Sequence, residues 1–98
     1  WEVWNEPDAG NFFKVDKEEE KPKEYVKLLN AAYKVAHEVN PKVKIIGGVS
    51  CSIPTSKWSK EIADIGGYNS MDILSFHWYS SIPNIDSSFF ISQVILLD

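Results

Sequence analysis

The chain has 98 residues, 44% hydrophobic and 24% charged, with a net charge of −4. That length holds one small domain with a modest core and excludes two. The acidic balance, with no basic stripe, argues against nucleic-acid binding, and no apolar run approaches the roughly 20 residues of a membrane helix, so no membrane partner is expected.

Trp1-Glu2-Val3-Trp4-Asn5 is rich in β-formers and runs into Glu6-Pro7. It reads as a first strand followed by a loop. The charged stretch Asp16-Lys17-Glu18-Glu19-Glu20-Lys21 reads as a solvated approach to a helix. Pro22 suits a first helical position, where a missing N–H costs nothing. Tyr25, Leu28, Leu29, Ala32, Val35, Ala36 and Val39 then recur at i, i+3, i+4 and i+7, which gives a helix one apolar face. Pro41 pushes Asn40 out of the helical region and ends the helix there.

Val43 to Ser50 is a β-branched run without strict alternation, as expected of a strand covered on both faces. A second helix is expected from Lys57 to Ile65, ended by Gly66-Gly67. Asp72-Ile73-Leu74-Ser75-Phe76-His77 reads as a third strand that carries Trp78 and Tyr79 at its end. After Ile82-Pro83-Asn84, Asp86 can cap a last helix through Phe89, Phe90, Ile91, Val94, Ile95 and Leu97, although the same segment also suits a strand. The order β-α-β-α-β-α implies right-handed units and parallel strands.

In such folds, functional side chains gather at the C-terminal strand ends. Here those ends are Asn5-Glu6-Pro7, Ser50-Cys51-Ser52 and His77-Trp78-Tyr79. A carboxyl, an amide, an imidazole and a phenol therefore converge on one rim. Strict alternation would send Asn5 and Glu6 to opposite faces, so both reach the rim only if the strand bends or bulges. Aromatic residues are 13% of the chain, four of them Trp. Such rings either fill a core or line a cleft for sugar faces, and Trp4 and Trp78 are open to both uses. The two histidines, His37 and His77, have no metal-ligand spacing. Gly47-Gly48 is not a phosphate loop, because no Lys-Ser/Thr follows it. Neither a metal nor a cofactor is expected. The single cysteine, Cys51, cannot form an internal disulfide and has no assigned role.

Trp1-Glu2-Val3-Trp4-Asn5-Glu6-Pro7 resembles the Asn-Glu-Pro signature at the end of the fourth strand of clan A glycoside hydrolases. Val39-Asn40-Pro41 followed by Lys44-Ile45-Ile46-Gly47-Gly48 is similar to that clan's fourth helix and fifth strand. Asp72 to Tyr79 is similar to its sixth strand with a His-x-Tyr end. The pattern looks most like the β-xylosidase and iduronidase-like family, with cellulase-like families next. The resemblance implies a partial TIM (β/α)₈ barrel, with residues 1–98 a single incomplete segment of it. That expectation agrees with an opening that lacks Met and a stop at Leu96-Leu97-Asp98. The remainder of the barrel would be its partner.

By the same resemblance, Glu6 matches the acid/base of a retaining glycosidase that cleaves O-glycosidic bonds in a polysaccharide or glycoside. Asn5 matches the residue that binds the sugar 2-hydroxyl, and His77 and Tyr79 match the sixth-strand pair, with Trp78 a stacking surface. A retaining enzyme needs a second carboxylate about 5–5.5 Å from the first. The clan places it on a seventh strand, and only Asp86 and Asp98 follow Tyr79 here, so these residues alone are expected to be inactive. The alternative is a non-catalytic carbohydrate-binding or structural α/β module. An extracellular or periplasmic parent is compatible with the resemblance, and no residue here assigns a compartment.

Overall fold

A computed structural model of the chain describes residues 1–81 and 88–96, with side chains described through His77. It is an α/β arrangement in which two helices and two short 3₁₀ turns pack beside a three-stranded sheet. Helix α1 spans Lys21–Val39, with Pro22 in its first turn and a 3₁₀ turn, Glu18–Glu20, leading into it. It stops where Pro41 requires: Asn40 is extended, at φ −146° and ψ 102°. Helix α2 spans Lys57–Asp64. Ser56 caps it by accepting the Ser59 N–H at 3.2 Å. Gly66 leaves the helix at φ 85°, a left-handed turn that glycine adopts without steric cost.

Strand β1 is Ile46–Ser50 and strand β2 is Ile73–Ser81. They pair in parallel, as expected of a strand–helix–strand unit. The first expected strand is reduced. Glu2 forms one parallel bridge to Ile46, supported by Ile46 N–H to the Trp1 carbonyl at 2.7 Å and Val3 N–H to the Ile46 carbonyl at 2.9 Å. Beyond Val3 the backbone leaves strand geometry, because Trp4 takes φ 71°.

The expected last helix is instead strand β3, Ser88–Leu96, antiparallel to β2 in an unbroken register from Ile73↔Leu96 to Ser81↔Ser88. The sheet order is β1-β2-β3, so it is mixed and not wholly parallel. The physical reason lies in the segment's makeup. Phe89, Phe90, Ile91, Val94 and Ile95 are aromatic or β-branched, which favours a strand, and a neighbour close in sequence supplies the ladder that a helix would forgo. The Asp86 cap and Leu97 lie outside the described residues.

The core sits between α1, α2 and the β1–β2 pair. Tyr25, Val26 and Leu29 of α1 meet Val3, Ile45, Met71, Leu74, Trp58 and Ile62. Burying a side chain such as Leu29 contributes about 1.5–3 kcal/mol. Part of the high aromatic content is spent here. Trp4, Phe13, Tyr25 and Trp58 form a run of ring contacts with centroids 5.5, 6.1 and 5.7 Å apart. Tyr25 also ties the first segment to β1. Its hydroxyl donates to the Val3 carbonyl at 3.1 Å and accepts the Gly48 N–H at 3.0 Å. Burial holds that phenol well above its ordinary range.

Candidate functional site

Because Glu2 and β1 both run parallel to their neighbours, the C-terminal ends of the first segment, β1 and β2 face the same way. Glu6 and Cys51 stand at the first two of those ends, whereas His77, expected at the end of its strand, lies midway along β2, one residue past its last pairing with β1, because β3 extends the ladder to Ser81. The Glu6 carboxyl is buried, with only 10% of its side chain exposed, and its Oε1 lies 2.9 Å from His77 Nδ1. The sequence separates these residues by 71 positions, and the fold brings them into one hydrogen bond. When Glu6 is ionised, His77 Nδ1–H donates to it. When Glu6 carries the proton, its O–H can donate to the bare nitrogen. The pair can therefore hold one proton in either direction without losing its contact.

Reaching this geometry requires unusual backbone. Trp4 sits at φ 71°, Glu6 at φ 47° and Val49 at φ 41°, all in the left-handed region that side-chain-bearing residues rarely adopt. Val49 is also the extra residue of a bulge in β1, since Gly48 pairs with Ser75 while Ser50 pairs with Phe76. The bulge turns the Val49 carbonyl toward the first segment, where it accepts the Glu6 N–H at 2.8 Å. Three left-handed residues around one buried carboxyl fit the tendency of backbone strain to gather at functional sites. The bend needed for Glu6 to reach the rim is thus made at Trp4 and Glu6 themselves.

Two contributors were not foreseen from the sequence. Cys51 follows directly on β1 and feels the Glu6 carboxyl. Desolvation, the neighbouring Glu6 carboxyl and the negative charge of Asp8 together push the thiol up to about 12. Asp8 accepts Cys51 N–H at 2.9 Å and Ser52 N–H at 3.0 Å, and it also accepts the Ser52 hydroxyl. The available signal was position: Ser50-Cys51-Ser52 lies at a strand end on the same rim.

Of the other expected site residues, Asn5 is exposed. The side chains of Trp78 and Tyr79 lie outside those described. Trp4 is half exposed, with its indole N–H held by the Phe12 carbonyl at 2.9 Å.

The family model for glycosyl hydrolases family 39 matches residues 1–96 of the chain. The chain belongs to that family. Membership in glycosyl hydrolases family 39 makes the parent protein a glycoside hydrolase with a carbohydrate substrate. Comparisons with curated proteins and with solved structures gave no match. In this family 39 chain the Glu6 carboxyl is shielded from water, and its His77 partner can meet it in either protonation state.

Proposed function

We propose that this segment supplies the acid/base half of a retaining clan A glycosidase of the β-xylosidase or iduronidase-like kind. Residues 1–98 form one incomplete portion of a (β/α)₈ barrel. Glu6 protonates the leaving glycosidic oxygen and then takes a proton from the attacking water. His77 holds the carboxyl in place between those steps. Asn5 binds the sugar 2-hydroxyl, a contact that strengthens as the oxocarbenium-like transition state forms. Tyr79 hydrogen-bonds the nucleophile carboxylate, and Trp78 stacks on sugar.

The nucleophile comes from outside residues 1–98. Asp8 does not fill that place, since its carboxylate is taken up by three donors of the Cys51–Ser52 loop. Asp86 and Asp98 lie outside the described residues.

The observation that carries the reading is the burial of the Glu6 carboxyl, 2.9 Å from the His77 ring. An acid that must hold a proton near neutral pH and then give it up needs that kind of shelter. The test is Glu6→Gln in the full-length protein, read as kcat/KM on two substrates. For a glycoside with an unactivated leaving group the expected loss is about 10²–10⁴-fold. For an aryl glycoside with a good leaving group, which needs little protonation, the expected change is small. An unchanged rate on the unactivated substrate rules out the acid/base role.

A further inference from the structure

A side-chain hydroxyl stands inside the backbone ladder that leads to Glu6. The first segment and β1 begin as regular parallel neighbours, with Ile46 N–H on the Trp1 carbonyl and Val3 N–H on the Ile46 carbonyl. A regular ladder would continue with Gly48 N–H on the Val3 carbonyl and then Asn5 N–H on the Gly48 carbonyl. Here the hydroxyl of Tyr25, a fully buried residue of α1, takes the place of the first of these bonds. It donates to the Val3 carbonyl at 3.1 Å and accepts the Gly48 N–H at 3.0 Å. The next bond is then made one residue later on both sides, from Glu6 N–H to the Val49 carbonyl at 2.8 Å.

The two backbone distortions of the site fall at this insertion. Trp4, at φ 71°, follows Val3, and Val49, at φ 41°, follows Gly48. Each left-handed residue thus comes directly after a group that the phenol holds. The carboxyl that emerges beyond them is the one that meets His77 Nδ1 at 2.9 Å.

We propose that Tyr25 is a positioning residue for Glu6: its hydroxyl, inserted between Val3 and Gly48, holds the ladder open so that Glu6 is carried onto Val49 and His77. The inference rests on the acid/base reading of Glu6 and deepens it. The task needs a group that donates and accepts at once, which a hydroxyl does and a plain ring does not. Without the oxygen, the Val3 carbonyl and the Gly48 N–H are left buried and unsatisfied. They can recover a bond by closing on each other, which restores the regular ladder and draws Glu6 away from Val49 and His77.

The experiment uses the full-length protein, with Glu6→Gln as the reference. Tyr25→Phe keeps the ring in the core and removes only the oxygen. On the unactivated glycoside kcat/KM should fall about 10–100-fold, with the loss in kcat, because a proton donor displaced by about 1 Å costs that much. On the aryl glycoside with a good leaving group the loss should be distinctly smaller, since a misplaced acid matters only where protonation is needed. Ile62→Val, a core change on α2, is the control for lost stability. It should lower the melting temperature and leave the ratio between the two substrates at its parent value.

Full activity of Tyr25→Phe on both substrates, or equal losses on both, overturns the proposal. If Tyr25→Phe does not fold, Gly48→Ala takes its place on the same two substrates, because a Cβ there displaces the N–H that the phenol accepts. A loss confined to the unactivated glycoside supports the proposal, and equal losses overturn it. A Glu6→Gln enzyme that discriminates between the leaving groups, beside a Tyr25 variant that does not, refutes the positioning role alone. A Glu6→Gln enzyme without discrimination refutes the acid/base reading and this inference with it.

Discussion

Cys51 is held in its neutral form by three influences that act in one direction: burial first, then the neighbouring Glu6 carboxyl, then the negative charge of Asp8. With the thiol pushed up from an ordinary 9.0 to about 12, almost none of it is thiolate at neutral pH. Alkylation by iodoacetamide at pH 7.5 should therefore run roughly 100-fold or more slower than for the urea-unfolded chain, where the thiolate is available. Labelling at equal rates in the two states would show that the thiol is not sheltered. The same shift sets a pH dependence. The folded chain holds this proton more tightly than the unfolded chain. The stability linked to it is thus full below pH 9 and is lost as pH rises from about 9 toward 12. Melting temperature followed across that window should fall, and Cys51→Ala should flatten the slope.

At the scale of the element, β1 matters less for its length than for its break. Gly48 takes φ 79°, and a Cβ there would lie 2.7 Å from Leu74 Cδ1 and 2.9 Å from the Ser75 carbonyl oxygen. The leucine can move; the backbone of β2 cannot without losing the parallel ladder. Gly48 also gives its N–H to Tyr25, the hydroxyl that joins β1 to the first segment. Gly48→Ala is therefore expected to cost about 1–3 kcal/mol of stability, measured by urea unfolding of the full-length protein. A cost below about 0.5 kcal/mol would mean that the bulge reshapes freely, leaving the Val49 carbonyl no fixed hold on Glu6. The antiparallel β3 belongs to this scale as well. It is joined to β2 by local pairing, whereas β1 reaches β2 only across α2 and a 3₁₀ turn, Gly67–Ser70.

Over the whole molecule, apolar surface is left at the C-terminal end of α1. Trp1, Val35, Ala36, Val39 and Val43 line a groove of about 420 Å³ there, and Trp1 and Val39 are 84% and 82% exposed. Contiguous apolar surface of this kind drives association in water, and open sheet edges add backbone groups that seek pairing. Residues 1–98 expressed alone should self-associate, seen as species heavier than monomer in sedimentation velocity. Val39→Lys should weaken that association. A monodisperse monomer with a cooperative melt would contradict the incomplete-barrel reading.

Local chemistry was enough to specify much of this protein. The spacing from Tyr25 to Val39 set α1, with Tyr25 and Leu29 in the core but Val35 and Val39 left exposed, Pro41 set its end, and Gly66 set the exit from α2, because each acts on the backbone within a turn of itself. The motif Asn5-Glu6-Pro7 marked the carboxyl that the fold buries, since strand ends in α/β proteins are read from the sequence order of elements. Three features depended on contacts between distant segments. Whether residues 88–96 become helix or strand turns on β2 lying alongside, which composition alone left open. The left-handed backbone at Trp4, Glu6 and Val49 exists because the bulge, the Tyr25 hydroxyl and the Asp8 carboxylate hold it there, and no residue type at those positions announces it. The meeting of His77 with Glu6 joins the first segment to the middle of β2, a through-space hydrogen bond that sequence separation conceals.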